Sequence, residues 1–147
     1  MTIVLDKAGI EALIPHRDPF LLIDRVTELE PLVRAVAEHD FTGEEWYLGG
    51  HFPGNPIVPG VILAESMAQT ATVAAMAHDD YRNGLGLFAG IDEMRFKRIV
   101  RPGDTGRFIA EFEKMRRGFG RVKVSAYVGD ELAAEGVILA VFQKEAS

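Results

Sequence analysis

The chain has 147 residues, 48% apolar and 26% charged, with a mean hydropathy of +0.06 and a formal charge of −6; this is one domain's length, so a single globular unit over residues 1–147 is expected. It has no cysteine, which removes disulfides, thiolate nucleophiles and Cys-based zinc or iron–sulfur sites, and its net acidity argues against general nucleic-acid binding. The N-terminal run does not pattern as a signal peptide and the most apolar window is interrupted by Glu65, Ser66 and Gln69, so a cytoplasmic location with no membrane span is expected.

A short amphipathic helix is predicted over Lys7–Leu13, closed by Ile14-Pro15, because a residue before proline is pushed out of helical backbone. Residues 20–29, FLLIDRVTEL, read as a strand ending in a turn at Glu30-Pro31, and residues 33–41 alternate well enough for a second strand. From Gly60 to about His78 the chain is apolar on nearly every side for roughly 28 Å at 1.5 Å per residue, so this helix must be central. Pro59 marks its start, since proline needs no N–H in the first turn.

Four strand-like segments follow, Leu85–Phe96, 106–116, 121–128 and 132–142. Turn residues at Pro102-Gly103-Asp104, Gly118-Phe119-Gly120 and Gly129-Asp130 separate them, and the four read as an antiparallel meander. One all-round apolar helix with about six strands is most simply built as an α+β fold, an antiparallel sheet wrapped around the helix.

The chemistry concentrates in residues 49–70, GGHFPGNPIVPGVILAESMAQT. His51 sits in a loop whose glycines permit close approach and whose prolines, at 53, 56 and 59, stiffen it, so the imidazole is held as a pre-positioned base requires; an isolated loop histidine is otherwise often a plain surface residue. Glu65 is the one ionisable residue on the apolar helix. An ionised carboxylate there carries a desolvation cost, so it needs a hydrogen-bond partner, an opposite charge or a function; burial raises its pKa toward what a general acid requires. Gln69, one turn on, can orient that carboxyl or a water, or serve as a helix-interface amide. The unpaired amides at Pro59-Gly60-Val61 and the helix dipole suit a developing oxyanion. Base, acid and oxyanion donor within fifteen residues suggest proton abstraction beside a carbonyl coupled to protonation of a leaving group.

These residues resemble the FabZ-type (3R)-hydroxyacyl-acyl-carrier-protein dehydratases of fatty acid synthesis, which have the hot-dog fold. The resemblance runs through IPHRDPFLLIDRV at 14–26, GGHFPGNPIVPG at 49–60, ESMAQ at 65–69 and IDEMRFKRIVRPGD at 91–104. It implies that His51 removes the α-proton of a 3-hydroxyacyl thioester and Glu65 assists departure of the hydroxyl as water. It further implies that the Gly60 amide binds the thioester carbonyl and the Ile57 carbonyl holds the other imidazole nitrogen. Family members place the His of one subunit beside the Glu of its partner, so a homodimer is implied as the smallest active unit, and many assemble further as trimers of dimers. Two positions depart from the family pattern: Asp18 stands where Tyr is frequent, and Trp46-Tyr47 differ from the usual approach to the GHFPG motif.

From Arg95 to Lys123 there are ten basic residues against three acids. That local charge suits a small acidic partner, which the resemblance identifies as acyl carrier protein, met by Arg95, Lys97, Arg98 and Arg101; the same pattern also fits solvent-facing strand positions. His16, His39 and His78 form no metal-ligand spacing with His51, so no metal is expected, nor any cofactor beyond the carrier's phosphopantetheine. Two other readings of the same fold are a thioesterase, which directs water at the carbonyl, and a non-catalytic acyl-binding subunit.

Overall fold

The computed structural model describes residues 2–145. Helix α1 (Lys7–Leu13) is capped by the Asp6 carboxylate, which accepts from the Gly9 amide at 2.9 Å, and it ends at extended Ile14 ahead of Pro15. Strands β1 (Arg25–Glu30) and β2 (Arg34–Asp40) form a hairpin, and helix α2 (Gly60–Met76) follows after the long loop. A 3₁₀ turn at Asp79–Tyr81 leads to β3 (Leu85–Phe96), β4 (Thr105–Arg116), β5 (Phe119–Val128) and β6 (Glu131–Gln143).

All strand pairings are antiparallel in one six-stranded sheet of order β1-β2-β4-β5-β6-β3. The sheet curves over α2, whose buried face packs on Phe108, Val122, Val124, Ile138 and their neighbours. This is the α+β architecture expected, and it matches the hot-dog arrangement. The hydroxyls of this buried helix bond backward along it: Ser66 to the Ile62 carbonyl, Thr70 to Ser66 and Thr72 to Ala68. Each polar side chain is satisfied locally, so a helix containing Ser and Thr can occupy the core.

Two expectations are corrected. The four strands after α2 are not a meander: β4, β5 and β6 are, but β3 lies at the far edge beside β6, while β4 pairs with β2. The connection 97–104 is too long for a tight hairpin and is anchored instead by buried Val100, whose carbonyl accepts from the Val58 amide at 2.9 Å. The first strand also begins at Arg25 rather than Phe20. Residues 20–22 are apolar because Leu21 and Leu22 are buried, but their backbone bonds to the side chain of Gln69 instead of to a strand.

One face of α2 escapes its own sheet. Val61 is 75% exposed, and Glu65 and Ala68 on the same face are only partly covered. Beside it, edge strand β3 exposes Leu85, Leu87, Phe88 and Ile91. Among the described residues no helix is long and apolar enough to cross a membrane.

Candidate active site

The loop before α2 is built to hold one imidazole. Pro53 and Gly54 form the centre of a tight turn closed by reciprocal bonds between Phe52 and Asn55 at 3.0 and 2.8 Å, and Gly54 takes φ 71°, where an L side chain would be strained. The chain then returns alongside His51. The Ile57 amide donates to the His51 carbonyl at 2.9 Å, and His51 Nδ1 lies 2.7 Å from the Ile57 carbonyl oxygen. A carbonyl can only accept, so Nδ1 carries the proton and Nε2 is left bare, the tautomer of a base. The Phe52 ring stacks on the imidazole with centroids 4.1 Å apart.

His51 lines an open cleft of about 420 Å³ with Gly60, Leu63, Phe96 and Val100 in its walls. Ile62 and Leu63 both donate to the Pro59 carbonyl, so the Gly60 amide is a first-turn donor with no partner among the described residues. A Cβ at Gly60 would stand 3.0 Å from the Phe96 ring. Glycine is what allows ring and helix start to close together over the cleft. The resemblance implies that Ile57 and Gly60 serve beside His51, and all three line this cleft.

Glu65 occupies a different place. Its side chain is 18% exposed and Oε2 accepts from Gln69 Nε2 at 3.0 Å. Burial pushes its pKa up, and the Gln69 hydrogen bond opposes this only in part. Gln69 is itself wholly buried, with Nε2 also donating to the Phe20 carbonyl at 2.8 Å and Oε1 accepting from the Leu22 amide at 2.9 Å. Both amide hydrogens are therefore used, one of them on the Glu65 carboxyl. Glu65 faces a small cavity of about 30 Å³ under β3, shared with Thr72, Leu87, Phe88 and His16.

His16 was given no role by the sequence beyond its failure to complete a metal site. Its Nε2 lies 3.7 Å from Glu65 Oε2, and its Nδ1 is buried with no hydrogen-bond partner among the described residues. Burial pushes its pKa down, with Arg17 adding to the effect, so the ring is neutral and the contact is no ion pair. Within one chain His51 and Glu65 line cavities with no residue in common. The imidazole and the carboxyl are each held in place, in separate cavities of the one chain.

The basic residues divide. Lys97 and Arg98 line the His51 cleft, although Lys97 also pairs with Glu135 at 3.1 Å and Arg98 with Asp104 at 3.0 Å. Arg101 reaches back to Asn55 Oδ1 at 2.9 Å, so it braces the His51 loop. Arg95 lines a separate charged concavity with Arg121 and Lys123. Asp18 pairs with Lys7, and Trp46 Nε1 donates to the Pro19 carbonyl at 2.9 Å, both at an open concavity distinct from the other two. A cluster the sequence did not single out joins His39 to Asp24 at 2.8 Å and to Glu45 at 3.1 Å. Among the described residues no three His, Asp or Glu side chains gather as a metal site.

A six-stranded sheet closed on one buried helix, with a clamped histidine before that helix and a carboxyl upon it, defines a FabA-like hot-dog protein, and the model of the FabA-like domain matches residues 14–137. The chain is 56% identical over 136 residues to the 3-hydroxyacyl-acyl-carrier-protein dehydratase FabZ of Chloroflexus aggregans, covering 92% of this chain and 94% of the relative. It is 49% identical over 135 residues to the FabZ of Acetivibrio thermocellus, covering 92% of each. It belongs to the FabZ family. Among solved structures, the dehydratase heterocomplex ApeI:P of Xenorhabdus doucetiae superposes with a TM-score of 0.79 at 17% identity, over 92% of this chain and 91% of that one. Cj0977 of Campylobacter jejuni superposes at 0.71 with 16% identity, over 94% and 90%. At those identities the likeness is one of fold.

Proposed function

We propose that this protein dehydrates (3R)-hydroxyacyl thioesters on acyl carrier protein to trans-2-enoyl thioesters in fatty acid biosynthesis, in the cytoplasm and without a further cofactor. The observation that carries the reading is the 2.7 Å contact of His51 Nδ1 with the Ile57 carbonyl, which leaves Nε2 free to take a proton.

His51 Nε2 removes the α-proton, and the electron pair moves toward the thioester carbonyl oxygen. The Gly60 amide and the positive end of α2 stabilise that oxygen. The C–O bond at C3 then breaks as Glu65 gives its proton to the departing hydroxyl, which leaves as water. The proton held by His51 passes to Glu65 before the next turnover, so the net products are enoyl thioester and one water. The raised pKa of Glu65 keeps that acid protonated closer to neutrality.

The two half-sites are completed by a second copy. The uncovered α2 face with Val61, Glu65 and Ala68 and the apolar side of edge strand β3 provide a surface for a two-fold dimer, in which His51 of one protomer meets Glu65 of its partner. Lys97 and Arg98, at the cleft, receive the acidic carrier, while Arg95 stands in a neighbouring concavity where Glu93, Glu113 and Glu135 offset the basic side chains. The test is a paired assay on carrier-bound 3-hydroxyacyl chains, following absorbance of the conjugated enoyl thioester and release of free thiol. Enoyl product without thiol is expected; thiol without enoyl product would establish a thioesterase instead.

A further inference from the structure

Resting on the reading of Glu65 as the acid, we propose that His16 is a positioning residue for it: the amide of Gln69 directly, and the Nε2–H of His16 through one water, address Oε2 of Glu65, which reserves Oε1 as the oxygen that carries the transferred proton.

The geometry begins with the histidine's two nitrogens. Nδ1 is buried and has no partner among the described residues. A buried N–H without an acceptor is rarer than an acceptor without a donor, so Nδ1 is the bare nitrogen and Nε2 carries the hydrogen. Nε2 is the atom that faces Glu65 Oε2 at 3.7 Å, too far for a direct bond. The cavity of about 30 Å³ that both residues line has room for one water, which would accept from Nε2–H and donate to Oε2. Oε2 thus faces Gln69 Nε2 at 3.0 Å on one side and the His16 donor on the other. A proton on Oε2 would meet the Gln69 N–H, whereas one on Oε1 is free to be delivered.

The imidazole is held for this. Arg17 clasps the segment by donating to the carbonyls of Ile14 at 2.9 Å, His16 at 2.7 Å and Glu11 at 2.9 Å. Burial, with the Arg17 charge added, keeps His16 neutral. The rest of the cavity wall, from α2, β3 and β6, is apolar or Thr72, so Arg17 is the charged neighbour to be reckoned with among the described residues.

Three variants test the assignment. His16→Phe keeps the ring but removes the donor, and His16→Gln places an amide N–H near the position of Nε2. His16→Phe is expected to lower kcat about ten- to hundredfold with KM changed by less than about twofold, the range for losing a hydrogen bond to a charged or reacting group. The basic limb of its kcat–pH profile is expected to move up, because the carboxylate loses a donor. His16→Gln is expected to recover most of the rate and return the limb. Wild-type kcat in His16→Phe, or equal impairment of the two variants, would overturn the proposal. Should His16→Phe not assemble, ¹⁵N NMR of the wild-type imidazole decides: protonation at Nε2 supports the assignment and at Nδ1 defeats it. Glu65→Gln separates the two layers: if it retains turnover the acid reading itself fails, whereas if it is dead and His16→Phe is unaffected only the role of His16 falls.

Discussion

Gln69 donates to Glu65 Oε2 at 3.0 Å with the same amide nitrogen that donates to the Phe20 carbonyl, while its oxygen accepts from the Leu22 amide. A single buried side chain thus ties the Glu65 carboxyl to the segment that packs over α2. Gln69→Leu removes all three bonds and leaves the Phe20 carbonyl and the Leu22 amide without partners. At about 1–3 kcal/mol for each buried unsatisfied group, stability should fall by on the order of 3 kcal/mol. Urea or thermal unfolding measures this, and an unchanged midpoint would show that segment 20–22 does not depend on the amide.

His51→Ala and Glu65→Gln should each reduce kcat by about 10²–10⁴-fold, the usual worth of a general acid or base. Their combination is more telling. If His51 of one protomer serves Glu65 of the other, mixed dimers of the two inactive variants rebuild one intact site, and random mixing should restore about a quarter of wild-type activity. Acid and base acting within one chain would restore nothing. The measurement is turnover after co-expression or co-refolding of differently tagged chains.

How much of this was legible beforehand depends on the range of the interactions involved. α1 and the start of α2 carry their own punctuation in Pro15 and Pro59 and fall where the sequence puts them, whereas α2 ends at Met76, short of His78, and the turn before β5 lies at 117–118, with Phe119 already in the strand. The His51–Ile57 clamp was implied only by the family resemblance, and it forms within seven residues. The place of β3 was not legible, because strand alternation reports a buried face and not a neighbour; only the pairing of β2 with β4 forces β3 to the far edge. The contact of His16 with Glu65 was not legible because the partner stands 49 positions later in the chain, and nothing local in Pro15-His16-Arg17 signals it. Phe20 was misread as strand because an apolar run tells burial, not who takes the backbone bonds.

The His39 cluster sets a pH dependence of stability. Burial opposes its charge, yet the hydrogen bonds it donates to Asp24 and Glu45 prevail and raise the pKa above the ordinary histidine value. A raised folded pKa contributes stability that is fully present below the unfolded value and is lost as pH rises through the folded value. The thermal midpoint should therefore decline from about pH 6.5 upward in the wild type, and this slope should flatten in His39→Asn. Asp40 acts at the other end: hydrogen bonds from Arg25 and Thr105 bring it down to about 2, so its contribution holds above the ordinary carboxylate range and disappears as pH falls toward that value. Melts from acid to alkaline pH record both; a His39→Asn slope parallel to wild type would remove the histidine from the account.

Gly60→Ala isolates the geometry of the cleft from the stability of the fold. Alanine is the better helix former by about 0.5–1 kcal/mol, and Gly60 is at the first turn of α2, so the backbone itself should tolerate the change. The new Cβ would meet the Phe96 ring at 3.0 Å. Phe96 is half-exposed and can swing outward, so the strain is relieved by opening the wall of the His51 cleft. A misplacement near 1 Å at a reacting centre can cost about a hundredfold, so kcat/KM should fall about ten- to hundredfold while the melting temperature stays level or rises. Gly50→Ala is the control, because nothing lies within 4 Å of its Cβ. If Gly60→Ala keeps wild-type kcat/KM, the close approach at Phe96 has no part in holding the thioester against the helix amide.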